Sequence, residues 1–262
     1  MNILIATSGN ISRLEVSLLA TALNKNHKVT IASMARDSGH QALAFTTSGN
    51  ASRMERFPYR DAMRGKTTKL DGFSGIIVHE FYSRPADAVS IMLGEIMKHD
   101  LPDLVICGIS NGTNLGPDVY SSSNVGMAME ATFFGVPAIT IATEFNPGGN
   151  TEAHLKHVIK LLETNLEEFA NINLPPYTFL NINVPRSKNY KDLKGIRYTR
   201  LGKVGKLVEY DAHTAPDGRP YYWTRFARGE SCKHPMCDRA SYEEGFVSIT
   251  PLNYNSTIGG LS

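Results

Sequence analysis

Residues 103–143 constrain the fold of this chain more than any other stretch (DLVICGISNGTNLGPDVYSSSNVGMAMEATFFGVPAITIAT). Residues 104–107 are a short apolar run, which is typical of a strand buried on both faces. A polar loop follows over residues 108–124, and the small and apolar residues from Val125 onward fit a buried helix closed by a glycine. Residues 136–142 supply another buried strand. This order of strand, loop, helix and strand predicts a parallel α/β sheet.

The loop over residues 108–124 is a candidate anion site. It carries three glycines, three asparagines and three consecutive serines. Because it lies between the carboxyl end of a strand and the amino end of a helix, its backbone N–H groups are placed to face an anion. The same residues would also serve to hold the loop shape and cap the helix. The sequence leaves both interpretations open.

The start of the chain predicts a βαβ unit: strand 2–6, helix 14–23 and strand 27–33. Polar turns follow both strands, over residues 7–10 and 34–40. Together with the loop at 108–124, these turns are expected to meet at one edge of a parallel sheet. Open parallel sheets bind their ligands at that edge.

The rest of the chain predicts further elements of the same domain: a strand at 76–80, helices over 85–98 and 151–169, a strand at 180–184, irregular antiparallel β structure over 195–230, and a last strand within 242–252, entered through a tight turn. The basic segment 53–69 is interpreted as a solvated surface excursion. We therefore predict one α/β domain over residues 1–262, with a core of about 1–185 and 243–252 and a β-rich excursion of about 195–240.

Composition excludes several classes of protein. The formal net charge is +2, which favours neither nucleic acid nor a membrane surface as partner. The first residues form a strand and not an apolar leader, and no segment approaches the length of a spanning helix. Three cysteines, an odd number, favour a reducing compartment. A cytoplasmic protein is expected.

Two groups of residues suggest a transition metal. His154 and His157 have a spacing that suits zinc, but no carboxylate or thiolate is clearly placed to complete the site, and surface positions are the favoured interpretation. The run from Cys232 through His234 and Cys237 to Asp238 also has the residue types of a zinc site. Such sites normally have a matching second half elsewhere in the chain, and here there is none.

Several long segments resemble the SurE family, the stationary-phase survival proteins. In chain order they are RPADAV at 84–89, CGISNGTNLGPDV and SSSNVGMAMEATFFGVPAI within 107–139, LNINVP at 180–185, TRLGK at 199–203 and EEGFVSITPL at 243–252. The resemblance covers nearly the whole chain. It implies a Rossmann-like, mostly parallel sheet with helices on both faces. It also implies a protruding β-hairpin region that assembles homodimers or homotetramers.

The resemblance implies a divalent-metal-dependent 5′/3′-nucleotidase, but most metal ligands are replaced. The two aspartates that bind the ion in the family fall on Ser8 and Gly9. Of the other two ligand positions, Ser38 keeps its residue type, and Ser110 stands in place of an asparagine. Mg²⁺ and Mn²⁺ are hard ions that need anionic oxygen ligands, which hydroxyl groups do not supply. Three carboxylates would rebuild a site only after loop rearrangement: Asp37, Asp118 and Glu144.

The phosphate end of the family's site is better kept. The turn before the central helix falls on Ser121 to Asn124, and the loop before it keeps its glycines. The resemblance therefore implies phosphate or substrate binding by Gly112, Asn114, Ser122, Ser123 and Asn124. Two functions are favoured: a nucleoside monophosphate phosphomonoesterase with impaired or altered metal-dependent activity, and a non-catalytic nucleotide- or phosphate-binding regulatory protein. A third, weaker alternative is a wholly structural oligomer.

Overall fold

The fold was analysed in a computed structural model of the chain. It describes residues 1–36, 39, 41–42, 65–68, 75–145, 151–187, 192–203, 206–228, 232 and 234–255. The strands are β1 (Asn2–Ala6), β2 (Lys28–Met34), β3 (Gly65–Thr68), β4 (Ile77–Phe81), β5 (Leu104–Asn111), β6 (Ala138–Thr143), β7 (Thr178–Asn183), β8 (Ile196–Tyr198), β9 (Lys206–Thr214), β10 (Pro220–Arg228) and β11 (Val247–Asn253). The helices are α1 (Leu14–Leu23), α2 (Pro85–Ile91), α3 (Ser123–Phe133), α4 (Thr151–Asn171) and α5 (Asp238–Glu243).

Nine strands form one sheet in the order β3-β4-β2-β1-β5-β6-β7-β11-β8. Six neighbouring strands, from β4 to β7, run parallel. Strand β11 is antiparallel to β7, and β3 is antiparallel to β4. The predicted Rossmann-like, mostly parallel α/β sheet is confirmed. From β1, the chain builds the sheet outward in one direction through β2 and β4, and from β5 it builds in the other direction through β6 and β7. The boundary between β1 and β5 is the kind of switch point where such sheets bind ligands.

The sheet is covered on both faces because its central strands are apolar on both sides. In β1, Ile3 and Ile5 pack with α1 and α4, whereas Leu4 and Ala6 pack with α2 and α3. All four side chains have no exposed surface. Burial on two faces explains why β1 lacks the alternation of a half-exposed strand. In the described part of the chain, no helix is both long enough and apolar enough to span a membrane.

Several predicted elements differ from the structure. Strand β5 continues past residue 107 to Asn111, because β6 stays paired with it through a bulge between Gly108 and Ser110. The predicted helix 85–98 is α2 followed by a single π turn, Met92–Ile96. Helix α3 begins at Ser123 and not at Val125, because Ser122 caps it.

The predicted irregular region at 195–230 is more regular than expected. Strand β8 joins the main sheet parallel to β11. Strands β9 and β10 form a separate antiparallel hairpin, with Tyr222 and Trp223 more than 60% exposed. The last strand is entered from helix α5 and not only through a turn. Most of the basic segment 53–69 lies outside the described residues.

Candidate functional site

A polar cleft of about 340 Å³ lies at the carboxyl ends of β1 and β5 and at the amino end of α3. Its lining includes Ser8 and Ser110, together with all the residues expected to bind phosphate: Gly112, Asn114, Ser122, Ser123 and Asn124. Gly39 also lines it, so the polar segments after β1, β2 and β5 meet as predicted. Gly9 lies beside the cleft, next to Ser8. Ser38 and Asp37 lie outside the described residues.

Gly108 allows β5 to bend into the cleft. Its φ is +140°, and a Cβ added there would overlap the carbonyl oxygen of Ile141 on β6. Only glycine fits this close approach. After the bend, Ser110 and Asn111 are paired with β6 again, and the Gly112 N–H donates to the Thr143 carbonyl at 2.9 Å. The start of the loop is thereby tied to β6.

Two asparagines of β7 hold the middle of the loop. The Asn183 side chain accepts the Asn114 N–H at 2.7 Å and donates to the Asn114 carbonyl at 3.1 Å. Asn181 donates to the same carbonyl at 2.8 Å. Asn181 and Asn183 have no exposed surface, so these bonds replace water completely. These bonds fix the backbone of Asn114 in place, and the residue lines the cleft.

Asp238 holds the end of the loop. Its carboxylate accepts the Gly116 N–H at 2.6 Å and the Gly202 N–H at 2.8 Å. Asp238 is therefore a structural anchor, and its oxygens are occupied by backbone donors. Among the described residues, no group of three metal-ligating side chains is close enough to hold an ion, so the zinc interpretation of Cys232, His234, Cys237 and Asp238 gains no support. The cysteines, all of which the structure describes, are free thiols.

Two buried side-chain atoms in the cleft lack partners among the described residues: Asn114 Nδ2 and Asn124 Oδ1. Their residues are 6% and 2% exposed. Buried polar atoms are nearly always hydrogen-bonded, so such atoms in a cleft point to a ligand or bound water.

Two serines of the cleft have structural roles. Ser122 Oγ caps α3 at 3.4 Å from the Val125 nitrogen, and Ser123 Oγ accepts the Gln41 N–H at 2.9 Å.

Arg13 lines the cleft and was not predicted from the sequence. A Cβ built on Gly9 would stand 2.6 Å from Arg13 Cδ and 2.7 Å from Nε. The stem of Arg13 therefore occupies the space that a side chain at position 9 would need. Its Nη1 lies 3.3 Å from Oε1 of Glu15, which is buried in the first turn of α1. The absence of any side chain at Gly9 was the sequence signal for this packing.

The described residues of the cleft do not fit a divalent cation. Its lining there consists of hydroxyls, amides, apolar groups and one arginine, without a carboxylate. The two described carboxylates that were candidates for rebuilding the site are engaged elsewhere. Asp118 lies 3.5 Å from the Arg239 guanidinium, and Glu144 accepts from the Tyr242 hydroxyl at 3.4 Å. A hard cation would lack the anionic ligands that offset its lost water.

The surface position expected for His154 is wrong. His154 is 6% exposed, and its Nε2 lies 2.7 Å from Thr143 Oγ1 at the end of β6. Because the Thr143 hydroxyl donates to the Val184 carbonyl, the imidazole must donate to Thr143. Burial lowers the pKa of His154, so the neutral ring is favoured. Neither His154 nor His157 belongs to a metal-ligating group of described residues.

An apolar pocket of about 170 Å³ lies next to the polar cleft and shares Ser122 with it. Val119, Val125 and Leu252 contribute to its lining, and Tyr120 lies at its side. A third cavity lies near the amino ends of β6 and β7, away from the ligand-binding edge of the sheet. The polar cleft and the apolar pocket are therefore the candidate site.

Comparison with known proteins agrees with this geometry. The family model described as "Survival protein SurE" matches residues 3–206. A protein of Thermosipho melanesiensis named "5′-nucleotidase SurE" is 31% identical over 97% of this chain and 91% of its own length. A relative of the same name from Thermoanaerobacter sp. (strain X514) is 28% identical over 98% of this chain and 94% of its own.

A solved structure agrees as well. The SurE protein from Aquifex aeolicus superimposes with a TM-score of 0.75 at 25% identity, over 98% of this chain and 95% of that one. Family model, relatives and structure thus cover the sheet, the cleft and the segments that hold the loop. The chain belongs to the SurE family.

Proposed function

We propose that this SurE-family protein binds nucleoside monophosphates in the polar cleft, with impaired metal-dependent hydrolysis of the phosphate ester. The observation that carries the proposal is the buried Asn114 Nδ2 donor, which has no partner among the described residues although the Asn114 backbone is held on both sides. A phosphate oxygen is an acceptor that would satisfy this donor. The named activity of the relatives supports a nucleotide as the ligand.

The phosphate would lie between Asn114 and the amino end of α3. The first turn of that helix, at Ser123 and Asn124, has backbone N–H groups without partners inside the helix. Such groups and the helix dipole favour a phosphate group. Ser122 contributes the cap of the helix and holds this turn in register. Gly112 lines the cleft at the start of the loop, with a φ of +119° that glycine adopts readily.

The nucleoside would extend toward the apolar pocket at Val119 and Val125. A ligand with a charged phosphate at one end and a flat aromatic base with apolar faces at the other matches a polar cleft joined to an apolar pocket. Tyr120 at the edge of that pocket is 72% exposed and offers an aromatic face. Inorganic phosphate would occupy the polar cleft alone and is expected to bind more weakly than a nucleotide.

Hydrolysis is expected to be slow because the charge at the site is wrong for a metal ion. When bound, a divalent cation polarises the phosphate and lowers the pKa of an attacking water. Ser8, Gly9 and Ser110 supply no negative charge to hold it. The same lack of carboxylates in the described lining favours a second candidate function. This is a regulatory protein that binds a nucleotide or phosphate without hydrolysing it.

Assembly as a homodimer or homotetramer is also proposed, through the β9–β10 hairpin. Its side chains include Tyr210, Tyr222 and Trp223, each more than 60% exposed. Exposed aromatic residues of this kind are enriched in protein interfaces. Sedimentation of the wild type and of a Tyr222→Ala, Trp223→Ala variant tests this assignment. We expect the variant to sediment as a smaller species, and unchanged assembly would contradict the proposal.

The activity is tested by measuring phosphate release from several nucleoside monophosphates and an aryl phosphate, with Mn²⁺, with Mg²⁺ and with a chelator. We expect turnover well below that of a relative with both aspartates, assayed alongside. Strong metal-dependent turnover that is lost in an Asp37→Ala, Ser38→Ala variant would mean that the metal site is rebuilt. The proposal of impaired hydrolysis would then be wrong.

Binding is tested separately by calorimetry with a nucleoside monophosphate. The Asn114→Ala variant keeps the backbone bonds to Asn181 and Asn183, so its loop should keep its shape. We expect its affinity to fall about tenfold, as for loss of one hydrogen bond to a charged group. Asn171→Ala, at the end of α4, is the matched control and should bind like the wild type. Equal affinity of all three proteins would remove Asn114 from the site.

A further inference from the structure

The side chain of Arg13 occupies the space beside Gly9 where the family resemblance expects an aspartate side chain. Gly9 corresponds to the second of the two aspartates, and the Arg13 stem packs against it, with Cδ at 2.6 Å from an added Cβ. An aspartate at position 9 and Arg13 in its present place would exclude each other sterically. The two arrangements are therefore alternatives, and this chain has the one with arginine.

The charge of the described lining has changed sign as a result. Its formally charged side chain is Arg13, and the remaining polar side chains are the hydroxyls and amides described above. The described lining therefore offers a cation no anionic ligand and offers an anion one cationic donor. The described lining thus lacks the anionic ligands that the family resemblance implies for a divalent ion.

We propose that the Arg13 guanidinium replaces the divalent cation as the positive charge of the cleft, so that a phosphate group binds without metal. This rests on the proposed function, since it names the group that makes the same cleft a phosphate site. A guanidinium is always charged at neutral pH and carries five N–H donors, which match phosphate oxygens in pairs. Arg13 and Asn114 line the same cleft, so both can contact one phosphate.

Glu15 is a positioning residue for Arg13. Glu15 is 5% exposed, and its Oε1 lies 3.3 Å from Arg13 Nη1, in the first turn of α1. This contact, with the packing of the stem on Gly9, holds the guanidinium at the cleft. A planar guanidinium can contact a carboxylate and a phosphate through different N–H groups.

Replacing the metal with arginine separates binding from hydrolysis. A guanidinium offsets the charge of phosphate oxygens, but it does not bind a water molecule and lower its pKa as a metal ion does. Arg13 would therefore keep the phosphate ester in the cleft with no new nucleophile. Binding is expected to persist in a chelator, a condition that removes the ion on which a metal-dependent relative relies.

The test is calorimetry with inorganic phosphate and with adenosine 5′-monophosphate, each in chelator and in Mn²⁺, on the full chain. Because Arg13→Gln alone would leave Glu15 without this partner, the informative pair is Glu15→Gln and the double variant Arg13→Gln, Glu15→Gln. We expect Glu15→Gln to bind both ligands in chelator. The double variant should bind at least about tenfold more weakly, the loss expected for a charge-assisted hydrogen bond.

Two further variants sharpen the test. Arg13→Lys keeps the charge but loses the planar pair of donors, and its affinity should lie between those of the wild type and the double variant. Arg84→Gln is the matched control, since Arg84 precedes α2 as Arg13 precedes α1, and it is exposed and does not line the cleft. It should bind like the wild type, and each folded variant should show a single cooperative unfolding transition.

Each outcome has a definite meaning. Binding in chelator that depends on Arg13 supports the proposal. Binding only with Mn²⁺, or equal affinity of Glu15→Gln and the double variant, overturns the role of Arg13 and leaves nucleotide binding in the cleft standing. No binding of either ligand in either medium overturns the proposed function as well.

Discussion

Asp238 accepts a hydrogen bond from the Gly116 N–H at 2.6 Å, although 122 residues separate the two in sequence. The second carboxylate oxygen accepts the N–H groups of Gly202 and Arg239 at 2.8 and 2.7 Å. Asp238 has no exposed surface. One buried carboxylate thus joins the loop at 108–124, the segment after β8 and the start of α5.

Replacing Asp238 by Asn should destabilise the protein by about 1–3 kcal/mol, because an amide NH₂ would face a buried N–H donor and leave it unsatisfied. Chemical denaturation measures the change in the free energy of unfolding. The matched control is Asp217→Asn in the exposed turn of the β9–β10 hairpin, which should unfold like the wild type. Equal midpoints for the two variants would show that the anchor is unimportant.

Gly108→Ala should destabilise the protein by several kcal/mol, about 3 or more, because the methyl group would overlap the Ile141 carbonyl at a positive φ. The neighbouring strand cannot move away without losing its pairing with β5. Thermal unfolding would detect the effect as a large fall in Tm. Gly112→Ala is the comparison, since space is open there and only its φ of +119° is unfavourable. A Gly108 variant as stable as the Gly112 variant would contradict the predicted overlap.

Gly9→Ala should weaken phosphate binding in chelator while costing no more than about 1 kcal/mol of stability. The new methyl group would displace the flexible Arg13 side chain and not the backbone. Calorimetry and thermal unfolding on the same preparations separate the two effects. Ser12→Ala is the control, because Ser12 is exposed, precedes Arg13 in the chain and does not line the cleft. Unchanged affinity in Gly9→Ala would mean that the position of Arg13 is irrelevant to binding.

Stability should fall in mild acid in a manner that depends on His154. Burial lowers its folded-state pKa below the ordinary value of 6.5, so below pH 6.5 the unfolded chain binds a proton that the folded protein does not. The free energy of unfolding therefore decreases as pH falls from 6.5 toward the lowered pKa, and this group has no effect above that range.

Denaturation of the wild type and of His154→Gln at pH 7.5 and 5.5 measures this contribution. We expect the wild type to lose more stability between the two values than the variant loses. His99→Gln, at an exposed position after α2, should keep the pH dependence of the wild type. A His154→Gln variant with the same pH dependence as the wild type would show that the group does not titrate as described.

Local patterns predicted most of the sheet because the central strands are short apolar runs separated by clear turns. Helix α1 and strand β1 fall where periodicity places them. The extension of β5 to Asn111 was not predicted, because Gly108, Ser110 and Asn111 do not have the apolar pattern of a strand. The anchoring role of Asp238 was not predicted, because the sequence does not show that backbone donors from distant segments surround its carboxylate.

The site was predicted in part. The loop residues Gly112, Asn114 and Ser122 lie in the cleft as expected, since a glycine-rich segment between a strand and a helix has one usual place in such a sheet. Arg13 was missed because its signal, the lack of a side chain at Gly9, does not show which residue fills the space. His154 was placed at the surface because helix spacing does not show which face meets β6.

The Asn183–Asn114 contact spans 69 residues, and the Asp238–Gly116 contact spans 122. During synthesis, strands β1 to β6 are complete long before either anchor has left the ribosome. The polar cleft should therefore be among the last parts of the molecule to take shape, and a nascent chain ending before α5 should hold most of the sheet without a finished cleft. Ligand binding would then report that synthesis has passed residue 238, since Asp238 must be present before the loop at 108–124 is held in place.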